Sequence, residues 1–246
     1  MKLLIDTELY VYRAATVHEF EAEWEPDVWS YFCRHDDAKV HIQEDIADVC
    51  DLFPDGQVVL CFGAKASFRY GVWPAYKANR KTYRKPAGYR ELWRWLESVA
   101  PTRGWQLARL PDVEADDVLG ILYEPGDAIV SWDKDLKTVP GLHLCHDDVV
   151  EVSEREADLR FFTQVLTGDT ADNYPGCPGV GPVKAAELLA GCQTPLQMWQ
   201  AVLAAYRKKE LTERDAIVQA RCARILRAGE YDHENGTPVF WNPPVA

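Results

Sequence analysis

No run of apolar residues in this chain approaches the ~20 needed to cross a membrane. The apolar opening, KLLIDTELYVY, is broken by Asp6 and Glu8, so neither a secretory leader nor a membrane anchor is expected. The seven cysteines are odd in number and never spaced CxxC. That pattern argues against a disulfide framework or a zinc knuckle and for reduced thiols in a cytoplasmic protein. The six histidines form no HxxxH or HxH pair, which disfavours a zinc centre. Internal repeats and low-complexity tracts are also missing. What remains is ordinary globular material, 47% hydrophobic and 27% charged over 246 residues, enough for one large domain or two modest ones. The formal net charge is −12, which repels nucleic acid at long range if the acids are spread evenly over the surface.

The order of elements predicts the fold class. KLLID, QVVLCF (57–62), WQLARL, DAIVSW and GLHLC read as strands, several of them continuous apolar runs covered on both faces. Between them, residues 38–53, GYRELWRWLESVA and EADDVLGILYE carry helical spacing. Alternating strands and helices predict an α/β domain with a mainly parallel sheet flanked by helices. Beyond about residue 153 the strand signal fades, and four helical segments follow, punctuated by Gly and Pro. The predicted division is an α/β core over 1–153, a helical region over 154–228 and a C-terminal tail over 229–246.

Ligands of open α/β sheets bind outside the carboxyl ends of the strands, and acidic residues recur there. Asp6 ends the first strand. Asp133 and Asp135 follow AIVSW. Glu114, Asp116 and Asp117 open a helix, and Asp169 and Asp172 stand three apart in TGDTADNY. Each group alone reads equally as a helix cap or a turn. Eight carboxylates brought to one edge would repel one another unless cations were bound. Oxygen ligands without His or Cys favour two Mg²⁺ or Mn²⁺ ions, and a pair about 3.5–4 Å apart suits phosphodiester displacement.

Two further segments point to nucleic acid. In PGCPGVGPVKAAELL, Gly179 and Gly181 precede a helix carrying Lys184. Small residues at a helix start let a phosphate approach backbone N–H groups, as in a helix–hairpin–helix that grips a duplex without reading bases. Between Lys65 and Arg94 there are nine basic residues, among them Lys65, Arg69, Lys77, Arg80, Lys81 and Arg84, against the single acid Glu91. Aromatics, including Tyr76 and Tyr83, are interleaved with them, a combination suited to single-stranded or frayed nucleic acid. A solvated basic loop is the plain alternative.

The succession LLID, YKANRK, EADDVLG, SWDKDLKT, TGDTADNYPG and GVGPVKAAELL resembles the 5′-nuclease (flap endonuclease-like) superfamily, and within it the 5′→3′ exonucleases of T7-like bacteriophages. The resemblance implies a PIN-like α/β core, a helical arch at about 65–90 and a helix–three-turn–helix at 174–190. It implies a first metal group of Asp6, Glu114, Asp116 and Asp117 and a second of Asp133, Asp135, Asp169 and Asp172. Lys77 and Arg80 match catalytic arch residues at the scissile phosphate, and Tyr76 matches a ring that stacks on a nearby base. Lys65, Arg69, Lys81, Arg84, Gly179, Gly181 and Lys184 would bind DNA, with K⁺ at the hairpin. The implied activity is divalent-metal-dependent 5′→3′ exonuclease and flap endonuclease cleavage of DNA, and of RNA in RNA–DNA hybrids, to 5′-phosphate products. The setting implied is phage-type replication, primer removal and recombination, by a monomer in the host bacterial cytoplasm. One position departs from the pattern: Ala64, in VVLCFGAKASFR, stands where the resemblance implies a metal-binding aspartate. A variant disabled to trap substrate, a member that works without this ligand, and a structure-selective DNA-binding protein that no longer cleaves are the readings it leaves. The first is preferred because the other ligand positions are filled. A PIN-type RNA endonuclease is a further alternative.

Overall fold

The computed structural model describes residues 1–82, 84–145 and 148–245; Tyr83 and the side chain of Lys81 lie outside the described residues. The first strand, β1 (Lys2–Asp6), leads into α1 (Thr7–Val17). A hairpin of β2 (Glu19–Glu25) and β3 (Val28–Cys33) follows, then α2 (His35–Leu52) and β4 (Gln57–Phe62). A short α3 (Arg69–Val72) precedes α4 (Tyr89–Val99), β5 (Gln106–Arg109), α5 (Ala115–Leu122) and β6 (Ala128–Val130). The sheet is completed by β7 (Gly141–Cys145) and β8 (Asp148–Val152), and α6 (Glu154–Thr167), α7 (Pro182–Leu189), α8 (Pro195–Arg207) and α9 (Glu213–Ala223) follow.

The six-stranded sheet runs β5-β4-β1-β6-β7-β8. Every pairing is parallel except β7 with β8, so the expected mainly parallel α/β class is what forms. Its centre is β1, where Leu3, Leu4 and Ile5 are fully buried between β4 and β6. One face of the sheet packs on α1, α2 and α4, with Val11, Ile42, Leu92 and Leu96 in that layer. The other face packs on α5 through Val118, Leu119 and Ile121. A separate apolar cluster unites α6 to α9, centred on Phe161, Phe162, Trp199 and Tyr206.

Three features lay outside the sequence-based expectations. Helix α1 follows β1 directly, Asp6 capping it by accepting the Leu9 N–H at 3.3 Å. The acidic stretch EFEAEWE forms β2, whose hairpin with β3 carries Phe20 stacked on Phe32 and leaves Trp24 66% exposed. The basic segment expected as a helical arch contains only α3 and one 3₁₀ turn, Ala78–Thr82, among the described residues. Its Lys77–Arg80 stretch is bonded to the Ala171–Asp172 turn.

Candidate active site

Sheet order explains why acids far apart in sequence meet. Strands β4, β1 and β6 are adjacent and parallel, so their carboxyl ends share one edge, where Asp6 lies and Ser131 and Asp133 follow β6. Ser131 Oγ donates to Asp6 at 2.9 Å and accepts the Asp133 N–H at 3.0 Å. The N-terminus of α5 brings Glu114 and Asp116 to the same edge. A cavity of about 690 Å³ there is lined by Asp6, Glu8, Glu114, Asp116 and Asp133, with Lys77, Arg80 and Arg84 among the basic residues at its wall.

Charge in this cavity is under strain. Burial pushes the Asp6 carboxyl up to about 7 against the opposing bonds from Ser131 and Leu9, with the charges of Glu8 and Asp133 adding to the rise. Asp116 is also raised, by burial first and then by Asp6 and Asp133. It makes no hydrogen bond or ion pair among the described residues. An enclosed carboxylate without a partner, next to two more carboxylates, fits a hard divalent cation and no other common group. The residues Asp6, Asp116 and Asp133 would hold it. As the side chains stand, no three acids among the described residues are drawn close enough to form a finished cage.

Cations explain part of that spacing. Lys77 is ion-paired with Glu114 and lies 3.8 Å from Asp172. Arg80 reaches Asp172 at 2.5 Å. Burial alone would raise Glu114, but Arg69 and Lys77 outweigh it and hold the carboxyl below its usual range. Lys77 has a left-handed backbone (φ 53°), an unfavourable state for a side chain of this kind. Its own N–H compensates by bonding the Asp172 carbonyl at 2.8 Å.

The remaining acids divide. Asp135 and Asp169 line a neighbouring cavity of about 550 Å³ with Lys134 and Arg160. Asp135 accepts from Gln164 at 2.8 Å and is pushed up to about 6, by burial and then by Asp133. Asp169 accepts the N–H groups of Ala171 and Asp172 and so shapes their turn. Asp172 is held by Tyr76, Lys77 and Arg80.

Three expectations are corrected. Arg69 is 2% exposed and cannot meet DNA. Its guanidinium grips Asp117 with two bonds of 2.6 and 2.7 Å and also donates to the Cys222 and Arg224 carbonyls. Asp117 is fully buried, accepts the N–H groups of Glu114 and Leu226 as well, and has no face toward the cavity. Tyr76, expected to stack on a base, is 2% exposed and donates its hydroxyl to Glu114 and Asp172. In each case a polar group of one segment is neutralised by a partner distant in sequence. Arg84 is exposed but pairs with Glu19 of the hairpin at 2.6 Å and covers the Tyr31 ring. Lys65 is exposed and belongs to no ion pair of the described residues. Ala64, partly buried, donates its N–H to Val113 at 2.8 Å.

Away from the cavity, Gly179 (φ 73°) and Gly181 lead exposed into α7, with Lys184 exposed on its first turn. Sequence reasoning missed Lys209, whose Nζ lies 3.5 Å from the place a Cβ on Gly179 would occupy. It also missed Ser131 and Glu8. Only the proximity of Ser131 and Glu8 to Asp6 in sequence and along the sheet edge could have signalled them.

A parallel sheet with carboxylates at its central strand ends and a basic segment bonded across them defines a nuclease class. Residues 1–159 match the family described as 5′-3′ exonuclease, N-terminal resolvase-like domain, and the chain belongs to that family of 5′-3′ nucleases. It is 28% identical to the exonuclease of Escherichia phage T7, over 98% of this chain and 93% of that protein. It is 29% identical to the exodeoxyribonuclease of Enterobacteria phage T3, over 98% and 92%. Similarity at 29% also extends to a flap endonuclease, Xni, of Shewanella oneidensis, over 65% and 67%. The fold resembles that of T5 5′-exonuclease with bound zinc ions at a TM-score of 0.57, 17% identity, and 90% and 93% coverage.

Proposed function

We propose that this chain is a divalent-metal-dependent 5′→3′ exonuclease and 5′ flap endonuclease. It would act on DNA ends, nicks and flaps, and on RNA in RNA–DNA hybrids, leaving 5′-phosphates, as a monomer in the cytoplasm. The observation that carries this reading is the shared cavity of Asp6, Glu114, Asp116 and Asp133 with Lys77 and Arg80 at its wall. Divalent ions, Mg²⁺ or Mn²⁺, bound by these acids would stabilise charge on the phosphodiester and on its leaving oxygen.

The chain's own groups do the rest. Lys77 and Arg80 already sit on carboxylates, so an entering phosphate finds donors fixed in place and exchanges one anionic partner for another. Tyr76 orients Glu114 and Asp172 through a single hydroxyl. Ser131 holds the Asp6 carboxylate toward the Asp133 side. At the far end, Gly179, Gly181, Lys184 and Lys209 offer backbone N–H groups and charge to a duplex phosphate, with K⁺ as a bridging ion.

Cleavage of a 5′-labelled flap duplex in Mg²⁺ tests the proposal, with the chain, its Ala64→Asp version and an Asp116→Asn version compared. Cutting by the chain and not by Asp116→Asn is the expected result. If only Ala64→Asp cuts, the chain is a disabled copy. If neither cuts while both bind the flap, the binding-protein reading replaces this one. A preference for single-stranded RNA would favour the RNA endonuclease.

A further inference from the structure

Glu8 is the acidic residue of the cavity that no sequence motif singled out. It lies in the first turn of α1, two residues after Asp6, and lines the same cavity as Asp6, Glu114, Asp116 and Asp133. Its Oε1 accepts the Gly63 N–H at 3.2 Å. A Cβ on Gly63 would fall 3.0 Å from that oxygen and 2.9 Å from Ala115 N. The end of β4, the Glu8 carboxylate and the start of α5 therefore meet at one point, and glycine is what leaves them room.

Accepting one backbone N–H needs no charge; a glutamine side chain would do it. The second oxygen of Glu8 has no hydrogen bond, and the carboxylate has no ion pair, among the described residues. Adding such a charge beside Asp6 and Asp116 is unfavourable unless a cation is shared among them. The residue next to Gly63 is Ala64, a methyl group where the family resemblance implies a carboxylate.

We propose that Glu8 is a ligand of the divalent cation held by Asp6 and Asp116, supplying from α1 the carboxylate that Ala64 does not supply from the end of β4. The proposal rests on the metal-dependent reading above, and it makes the chain a member of its family with one ligand relocated rather than lost. Glutamate has one more methylene than aspartate, which suits a ligand that must reach across from the neighbouring strand end.

The test is Mn²⁺ binding by the full chain, read from the loss of the free-ion electron paramagnetic resonance signal. The melting temperature in chelator is recorded alongside it. Glu8→Gln is expected to weaken Mn²⁺ binding at least about tenfold, with the metal-free melting temperature unchanged or higher, since glutamine still accepts from Gly63. Ala64→Asp added to Glu8→Gln is expected to recover most of the affinity. Wild-type affinity in Glu8→Gln overturns the proposal and leaves the metal reading standing. Weaker binding with a lowered melting temperature and no recovery by Ala64→Asp overturns it in favour of a structural role. Absence of Mn²⁺ binding by both the chain and Ala64→Asp removes the metal reading itself, and this proposal with it.

Discussion

Arg69 and Asp117 form a buried two-pronged ion pair, Nη1 to Oδ2 at 2.6 Å and Nη2 to Oδ1 at 2.7 Å. The same guanidinium donates to the Cys222 and Arg224 carbonyls, so it ties α5 to the end of α9. Removing one member of such a pair leaves an uncompensated buried charge. Arg69→Met is expected to lower stability by about 3–5 kcal/mol, read from urea unfolding. Lys65→Met, on an exposed side chain, should change it by less than about 0.5 kcal/mol. Equal effects of the two would contradict the structural role of Arg69.

Lys77 serves the site differently. It is ion-paired with Glu114 at the wall of the cavity, where a phosphate would arrive. Lys77→Met should slow flap cleavage about 10²–10³-fold, the scale of losing one preorganised donor to developing charge. Single-turnover rates at saturating enzyme separate this from weaker DNA binding, and a loss confined to affinity would refute it.

Asp6, raised to about 7, and Asp135, raised to about 6, give the metal-free protein a pH signature. Each holds its proton more tightly folded than unfolded. Their stabilising contribution is therefore full below about 4, the ordinary aspartate range, and declines as pH rises through 6 to 7. Melting temperatures in chelator should fall over that window, and Mg²⁺ should remove the fall. Asp6→Asn keeps the cap on α1 and should flatten the slope. A slope identical to wild type would show that Asp6 is not its source.

Lys184 stands exposed beyond the Gly179–Gly181 turn. If it meets a duplex phosphate, Lys184→Ala weakens binding to all sequences alike and lowers the salt slope by about one. Fluorescence anisotropy over a salt series measures both, and an unchanged slope would place the contact elsewhere.

Local pattern carried much of this architecture. Leu3, Leu4 and Ile5 announce a central strand, and Asp6, Asp133 and Glu114 stand at strand ends or helix starts where an α/β sheet collects ligands. The sheet edge does bring Asp6, Glu114, Asp116 and Asp133 together. What stayed hidden depends on neighbours remote in sequence. Nothing in SFRYG or EADDV says that Arg69 and Asp117 neutralise each other, and basic side chains in a basic run read as surface. Tyr76 looked like a stacking ring because its two carboxylate partners come from 38 and 96 residues away. The alternation in EFEAEWE is strand-like, but its partner strand is brief and its faces are both largely exposed, so it lacks the buried stripe that marks a strand clearly.

The basic segment is sewn to the turn that carries Asp172. Lys77 N–H bonds the Asp172 carbonyl, Asn79 bonds Thr170, Asn173 bonds Ala75, and Trp73 bonds Asn173. Gate and blade are thus one piece of machinery: whatever lifts residues 75–80 away from the cavity also carries Asp172 with them, so a passage cannot open while the cutting edge behind it stays set.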